Sequence, residues 1–458
     1  MTRSRFPRPP RLALLAAAAL LAAAVLPAAA RCVDENDVGP APNGQAAPPA
    51  GAADPRTQLA DMVREALTRS NAVGAAKLVA EAALSDIEEA RSAKSVQAAL
   101  SGALGPAGSQ SGGVSETAAV QARASITGSQ LLYDGGRVDR LADWRTQLAE
   151  SARFGQLSLQ EQVALTTVAL ALERSRYRLH AQVYGQYARK MSCLVDALET
   201  IVRADRGRAS ELVQAKKSQQ QAELSQTQSQ SQVRQVEVRL RRLVGDGLPS
   251  IEGLASVLLA VPDLSLLQSD VERNSDLGQL DAQAAAARKY AAAVEAGGKP
   301  QVSWTFGGSK AVGAGGNVSS GNSRSGSFSL GIAVSVPLLN PGVGPATDAA
   351  RKRAQAAALQ RAELLETRIF RVAELHEQTQ SAFDRARRVG AVLRDSEQVR
   401  NFTLQQWQQL GKRSLFDVMG AEGEHYNLRV AYVNAIHDGQ QLNAILLSLG
   451  RGVSQWLQ

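Results

Sequence analysis

Residues 327–342 read "SFSLGIAVSVPLLNPG". From Phe328 to Val336 every second residue is large and apolar: Phe328, Leu330, Ile332, Val334 and Val336. Ser329, Gly331, Ala333 and Ser335 alternate with them. Alternation of this kind specifies a strand with one greasy face and one small, hydroxylic face. The stretch "VQARASITG" (120–128) behaves alike, setting Gln121, Arg123, Ser125 and Thr127 against Val120, Ala122, Ala124 and Ile126. "QVSWTFGGS" (301–309) places Val302, Trp304 and Phe306 on one face. A strand in a soluble sandwich would alternate too, but the chain offers no further strands for a second sheet. A polar lumen and a lipid-facing exterior account for both faces, as in membrane β-barrels. Four strands cannot close a barrel, and open edges in lipid leave backbone groups unpaired, so several chains must combine. Two chains would give eight strands with a filled interior; three would give twelve and room for a passage.

Outside these strands the pattern is helical, and the same order of elements occurs twice. The first copy spans 56–246: short helices near Leu59–Arg69 and Asn71–Arg91, strands about 94–104 and 117–133, and a helical hairpin of about 137–243 turning near 207. The second spans 276–450: a helix near Leu277–Ala296, strands about 300–309 and 324–338, and a hairpin of about 346–449 turning near Gly411. An inter-repeat segment covers 247–275, and 451–458 form a tail. The run from Arg137 to Asp205 contains no proline, and as one helix it would be roughly 100 Å long. Leu165, Val168, Leu172 and Leu179 form a coiled-coil seam, as do Val233, Val236, Leu240 and Leu243, and also Leu365, Ile369, Val372, His376, Thr379 and Phe383.

The first thirty residues read as a secretory signal: basic start, apolar run Leu12–Leu26, and Ala28 and Ala30 in A-x-A spacing. Residues 31–55, rich in Pro, Gly and Ala, read as a disordered linker. Arg31 precedes Cys32 where a bacterial lipobox carries a small residue, so cleavage near Ala30 is expected in place of lipidation. Cys32 and Cys193 are the only cysteines; a disulfide between them is feasible in an oxidising compartment, and an unpaired thiol at each is expected. Of the formal charge of +8, four arginines belong to the signal, leaving about +4. No dense basic cluster offers a nucleic-acid footprint.

Enzymatic chemistry finds no support. "ELHEQTQ" (374–380) lacks the second histidine of a zinc-protease motif, with Gln380 in its place, and His376 falls on a seam. His180, His425 and His437 are the other histidines, and no phosphate-binding G-x-x-x-x-G-K-[ST] loop occurs. No cofactor or metal is expected.

The region from about 56 to 450 resembles the TolC-like outer-membrane efflux and secretion channel family. "SQLLYDGG" (129–136) and "VSVPLLNPG" (334–342) resemble its two strand-to-helix exits, and "GKRSLFDVMGAEGEHYNLRVAYVNAIHDGQQLNAILLSLG" (411–450) its terminal hairpin. Leu-Asn-Pro-Gly stands where members often carry Phe-Asp-Gly after the Pro-Leu of the second strand.

The resemblance implies a mixed, mainly α fold. Its long antiparallel coiled-coil hairpins would join four transmembrane β-strands per chain, in a homotrimer with a twelve-stranded barrel in the outer membrane. A helical tunnel would cross the periplasm, with the short helices forming a belt around it. It also implies a passive duct for type I protein secretion or for small-molecule efflux. The partners would be a periplasmic adaptor and an inner-membrane ABC transporter or proton-driven pump; the absent lipobox favours secretion. A periplasmic coiled-coil adaptor is the competing class, though it would carry a lipoyl-like domain and no amphipathic barrel strands.

Glycine at the tip turns, Gly207 and Gly411, suits a left-handed backbone. On the family pattern Arg413 and Asp417 match gate residues of the second hairpin, with Asp417 forming an acidic pore ring by symmetry. Gly420 replaces a second aspartate, and Gln408, beside Trp407, replaces a tyrosine. On the first hairpin Glu211 is the nearest acidic lock residue, with Arg206 and Arg208 as basic candidates.

Overall fold

The computed structural model describes residues 54–107, 110–111, 114–115, 119–249, 253–314, 323–410 and 413–458. The signal, most of the linker, the glycine-rich loop around 315–322 and Gly411 lie outside them. The elements run α1 (Pro55–Arg69), α2 (Asn71–Ser92), β1 (Gln97–Ala107), β2 (Gln110–Ser111), β3 (Val114–Ser115), β4 (Ala119–Tyr133) and α3 (Arg137–Ala204). Then follow α4 (Ala209–Val244), α5 (Leu264–Val271), α6 (Ser275–Ala296), β5 (Gln301–Ala314) and β6 (Ser323–Ser335). The chain ends with α7 (Val343–Leu410), α8 (Leu415–Leu449) and α9 (Val453–Leu457). Pro55 occupies the first helical position, where its missing N–H costs nothing, so α1 begins where the linker was expected to end. β5 extends to Ala314, past the expected 309, and β6 stops at Ser335, before 338. The expected loop at 105–116 contains the short β2–β3 ladder. Cys193 is disulfide-bonded, which corrects the expected free thiol; Cys32 lies outside the described residues.

The described residues divide into two units. One holds Leu59–Val168, Ala260–Glu377 and Asn443–Gln458, and contains the sheet, ordered β1-β4-β5-β6 and antiparallel throughout. Cross-strand partners share a face, so the register fixes what each face presents. One face carries Leu100, Ile126, Gly308 and Phe328 in one row, with Gly128, Phe306 and Leu330 in the next. Phe328 is 93% exposed and Leu100 81%, unusual for residues of this size unless something apolar covers them. The opposite face carries a row of four serines, Ser101, Ser125, Ser309 and Ser327. Their hydroxyls bond in pairs, Ser101–Ser125 at 2.7 Å and Ser309–Ser327 at 2.8 Å. Gly128 is required for packing: a Cβ there would lie 2.0 Å from the Phe306 ring.

The two strand-to-helix turns use one device. After β4, the Asp134 carboxylate accepts from Gly136 N (3.0 Å) and Val138 N (2.6 Å), satisfying orphan donors of α3. Gly135 and Gly136 take φ of 67° and 81°, which side chains rarely tolerate. After β6, Asn340 Oδ1 accepts from Gly342 N at 3.2 Å. Asparagine thus repeats the aspartate's bond where Leu-Asn-Pro-Gly departs from the family pattern. In the same unit, Glu161 accepts from Val453 N and Ser454 N, tying α9 to α3.

The other unit holds Ala169–Leu259 and Gln378–Leu442, with the start of α1 up to Gln58. Its helices bury Leu172, Leu198, Val236 and Leu240 completely. Gln440 Nε2 donates to Leu254 O (2.8 Å) and Val257 O (2.7 Å), fastening the segment between the two halves to α8. Among the described residues no helix is long and apolar enough to cross a membrane.

Asn274 joins two helix ends in the sheet-bearing unit. Its Oδ1 caps α6 by accepting from Asp276 N (3.0 Å), and its Nδ2 donates to Ser448 O, Leu449 O and Gly450 O, each at 3.2 Å. Asn274→Ala should cost about 2 kcal/mol, from the lost cap and the orphaned carbonyls. Asn274→Asp keeps the cap but turns an oxygen toward three carbonyls. Thermal unfolding should therefore show it at least as destabilised as the alanine variant, although aspartate caps as well as asparagine.

Candidate gate at the hairpin tips

The ends of both long hairpins fall in one unit. The first turn is a 3₁₀ segment, Arg206–Arg208, whose cap Asp205 accepts from Gly207 N at 2.9 Å. Gly207 is not left-handed, which corrects the expectation above; the 3₁₀ turn needs no positive φ. Arg208 Nε lies 3.5 Å from Glu211 Oε2, an ion pair within one hairpin and without hydrogen-bond geometry. Lys216 Nζ sits 2.7 Å from Glu199 Oε1, joining α3 to α4, and its hydrogen bond holds the Glu199 carboxyl below the usual carboxylate range.

On the second hairpin, Asp417 and Ser414 cap α8 reciprocally. Asp417 Oδ2 accepts from Ser414 N (3.1 Å), and Asp417 N donates to Ser414 Oγ (3.3 Å). This is a capping box with aspartate in the third position. Arg413 Nε donates to Gln406 Oε1 at 3.2 Å. Arg413 and Asp417 are exposed, as is Gln408 on α7. A Cβ at Gly420 would meet nothing within 4 Å. Among the described residues no hydrogen bond or ion pair connects Arg413 or Asp417 to Arg208 or Glu211.

What joins the two tips is apolar. Met191, Leu194 and Leu198 of α3, Ala215 of α4, and Leu415, Val418 and Met419 of α8 form one buried cluster, with Leu404 and Trp407 of α7 packed against it. Fully burying a leucine or methionine contributes about 1.5–3 kcal/mol, against at most about 1 kcal/mol for an exposed ion pair. Within one chain the greasy cluster therefore holds the hairpins together, and the charged rim outside it remains available.

The cluster continues along α8 as a stripe at 3/4 spacing: Leu415, Met419, Glu422, Tyr426, Arg429, Val433, His437, Gln440 and Ala444, all buried. Glu422, fully buried, lies 3.9 Å from Lys190 Nζ and 3.7 Å from Arg400 Nη1. Arg429 donates to Gln186 Oε1 at 2.6 Å and stacks over the Tyr426 ring. Apolar seams alone do not reveal this stripe, because charged and polar residues interrupt it; its 3/4 spacing is the signal. Further along, Arg176 donates to Asn434 Oδ1 (2.7 Å) and Asp438 Oδ1 (3.1 Å). Burial, reinforced by Arg176, lowers His180 to about 4; burial likewise lowers His437 to about 4. His376 is buried on the seam of α7, and among the described residues no group of three or more His, Cys, Asp and Glu could hold a metal ion.

Ser414→Ala should remove about 1 kcal/mol of cap. Amides at the start of α8 should then exchange roughly fivefold faster in hydrogen-exchange experiments. The histidines give a pH dependence. Unfolded, each binds a proton near pH 6.5, whereas folded each stays neutral down to about 4. The unfolded state therefore takes up more protons as pH falls, and stability is complete above 6.5 and declines toward 4. Melting curves should shift down between pH 6.5 and 5, and less steeply in His437→Gln.

Residues 266–450 match the family model described as outer membrane efflux protein. No curated protein sequence matches the chain. Three solved structures share the fold at low identity. CusC, described for the conformational changes accompanying folding and transmembrane channel formation, is 18% identical, with 86% of this chain and 92% of that chain covered and a TM-score of 0.75. The outer membrane protein VceC of Vibrio cholerae is 19% identical, with coverage of 86% and 96% and a TM-score of 0.71. The open state of the MtrE outer membrane channel of Neisseria gonorrhoeae is 18% identical, with coverage of 87% and 91% and a TM-score of 0.69. Residues 266–450 thus carry an outer membrane efflux protein domain, and the chain shares the fold of these channel structures over most of its length.

Proposed function

We propose that three copies of the chain close a twelve-stranded barrel in the outer membrane and act as the passive exit duct of a tripartite export system, gated at its periplasmic tip. The observation that carries this reading is the two-faced sheet with β1 and β6 as unpaired edges. Its apolar rows suit lipid and its serine row suits water. In hydrocarbon each unpaired edge group costs several kcal/mol, so neighbouring copies must supply the missing partners.

The duct performs no chemistry, and the work of export falls to partners: an inner-membrane pump and a periplasmic adaptor. At the tip, the apolar cluster keeps each chain's hairpins together. Arg208, Arg413 and Asp417 then face neighbouring copies, while Glu211 stays largely covered beside Arg208, and three symmetry-related Asp417 carboxylates form an acidic constriction. Asp417 serves as helix cap and as charge. Small-molecule efflux is the reading favoured by the family description; protein secretion rests on the sequence around Cys32.

Conductance in planar bilayers tests the duct. The wild type should prefer cations, and Asp417→Asn should move the reversal potential in a salt gradient toward zero. Ser414→Ala, which loosens the same cap but keeps the charge, should leave it in place. An unchanged reversal potential in Asp417→Asn overturns the acidic ring; a monomer soluble without detergent overturns the duct. Deletion strains divide the cargo classes, by retained small molecules or by missing secreted proteins.

A further inference from the structure

Two helices adjoin the open edges of the sheet. α2 leads into β1, one edge strand, and α7 follows β6, the other. Each helix carries two seams. One is covered within the chain, through Val73 and Ile87 of α2 and through Ala350, Ala354 and Val372 of α7. The second lies open. On α2 it runs Asn71, Ala75, Leu78, Ala82, Ser85 and Glu89 at strict 3/4 spacing, and on α7 it runs Lys352, Gln355, Leu359, Ala362, Glu366 and Phe370. Every one of these residues is exposed; Leu78 is 66% exposed, Leu359 71% and Phe370 68%. A helix with a seam on both sides is built for two neighbours, and among the described residues one chain supplies only one of them.

The strands say which neighbour. Where β1 of one copy closes on β6 of the next, α2 of the first comes beside α7 of the second. The two helices run in opposite directions, because one enters the sheet and the other leaves it. Charge and size then select the register. Arg351, Lys352 and Arg353 form a basic run in the sheet-side part of α7. Arg351 pairs with Glu295 and Lys352 with Asp348, whereas Arg353 has no acidic partner among the described residues. Glu89, in the last turn of α2, likewise has no basic one. Setting Glu89 level with Lys352 brings Leu359, seven residues further along α7, level with Ala82, seven residues back along α2. The same register sets Phe370 against Asn71, so each large residue of the α7 seam meets a smaller one. Sliding by four residues would stack Leu78 on Leu359, but it would also bring Glu89 against Asp348, and like charges at that separation repel.

Resting on the barrel reading above, we infer that α2 of one copy packs along α7 of the next in this register, with Glu89 facing the basic run and Leu359 seated over Ala82. The contact joins two different faces, so it repeats head to tail and closes a ring. It carries the junction between copies beyond the strands: backbone pairing seals the sheet, and side chains of matched size and charge seal the helices that adjoin it.

The test uses the full chain in detergent, with cysteine pairs at exposed positions of the two seams. Under mild oxidation Ala82→Cys/Leu359→Cys should give chains linked to one another on non-reducing gels, because a disulfide forms only where Cα atoms approach within about 7 Å. Leu78→Cys/Leu359→Cys, offset by one helical turn, should stay largely unlinked. A charge exchange reads the other half of the register. At low salt, Glu89→Arg and Lys352→Glu should each raise the protein concentration needed for half assembly about fivefold, and the double variant should restore it. Stronger linking by the offset pair overturns the register, and so does an exchange that restores nothing. Trimers that conduct normally yet never link through either pair would overturn this contact and leave the duct standing. A chain that stays monomeric and soluble without detergent would remove the barrel and the contact together.

Discussion

A strand's backbone carries donors and acceptors along both sides, and hydrocarbon supplies partners for neither. The sheet of this chain satisfies that requirement internally between β1 and β4, β4 and β5, and β5 and β6, and leaves it open at two edges. Everything else about the strands conforms to a cylinder wall. The large apolar side chains fall mostly on one face and the polar side chains on the other, and the register keeps the two sets apart across all four strands. A soluble protein with this sheet would expose Leu100, Phe328, Leu330 and Ile332 to water with nothing to cover them.

The helical part obeys a different rule. Its seams keep a 3/4 spacing but do not keep to apolar residues. Glu422, Arg429, His437 and Gln440 sit in the α8 stripe between Leu415 and Ala444. A buried carboxylate beside Lys190 and Arg400 contributes less stability than a leucine would, because desolvation offsets the attraction. It does penalise any sliding of one helix past another, since every shifted register strands a charge. Gln440 and Asn274 act similarly at the ends, each donating to backbone carbonyls of another segment.

The strands were legible because period-two alternation of large side chains survives without context. Their ends were less so: beyond Ser309 the sequence Lys-Ala-Val-Gly-Ala has weak β propensity, and only pairing with β4 and β6 extends β5 to Ala314. At the tip, the Ser414-to-Asp417 spacing is a helix-start signature readable in the sequence, although the family pattern points to the aspartate only as a gate residue. A tip glycine by itself suggests a left-handed turn at Gly207, but the Asp205 carboxylate shapes a tighter one. The apolar cluster beneath the tips draws on all four long helices, so no single stretch announces it.

The serine row has a consequence for whatever passes the wall. Ser101, Ser125, Ser309 and Ser327 lie at one level of the sheet, and each hydroxyl gives or takes a proton by simple rotation. In the closed barrel proposed above, they would make a collar that wets readily, carries no formal charge and offers any solute a bond it can as easily surrender. Such a lining would discriminate by width and leave chemical choice to the other end of the passage.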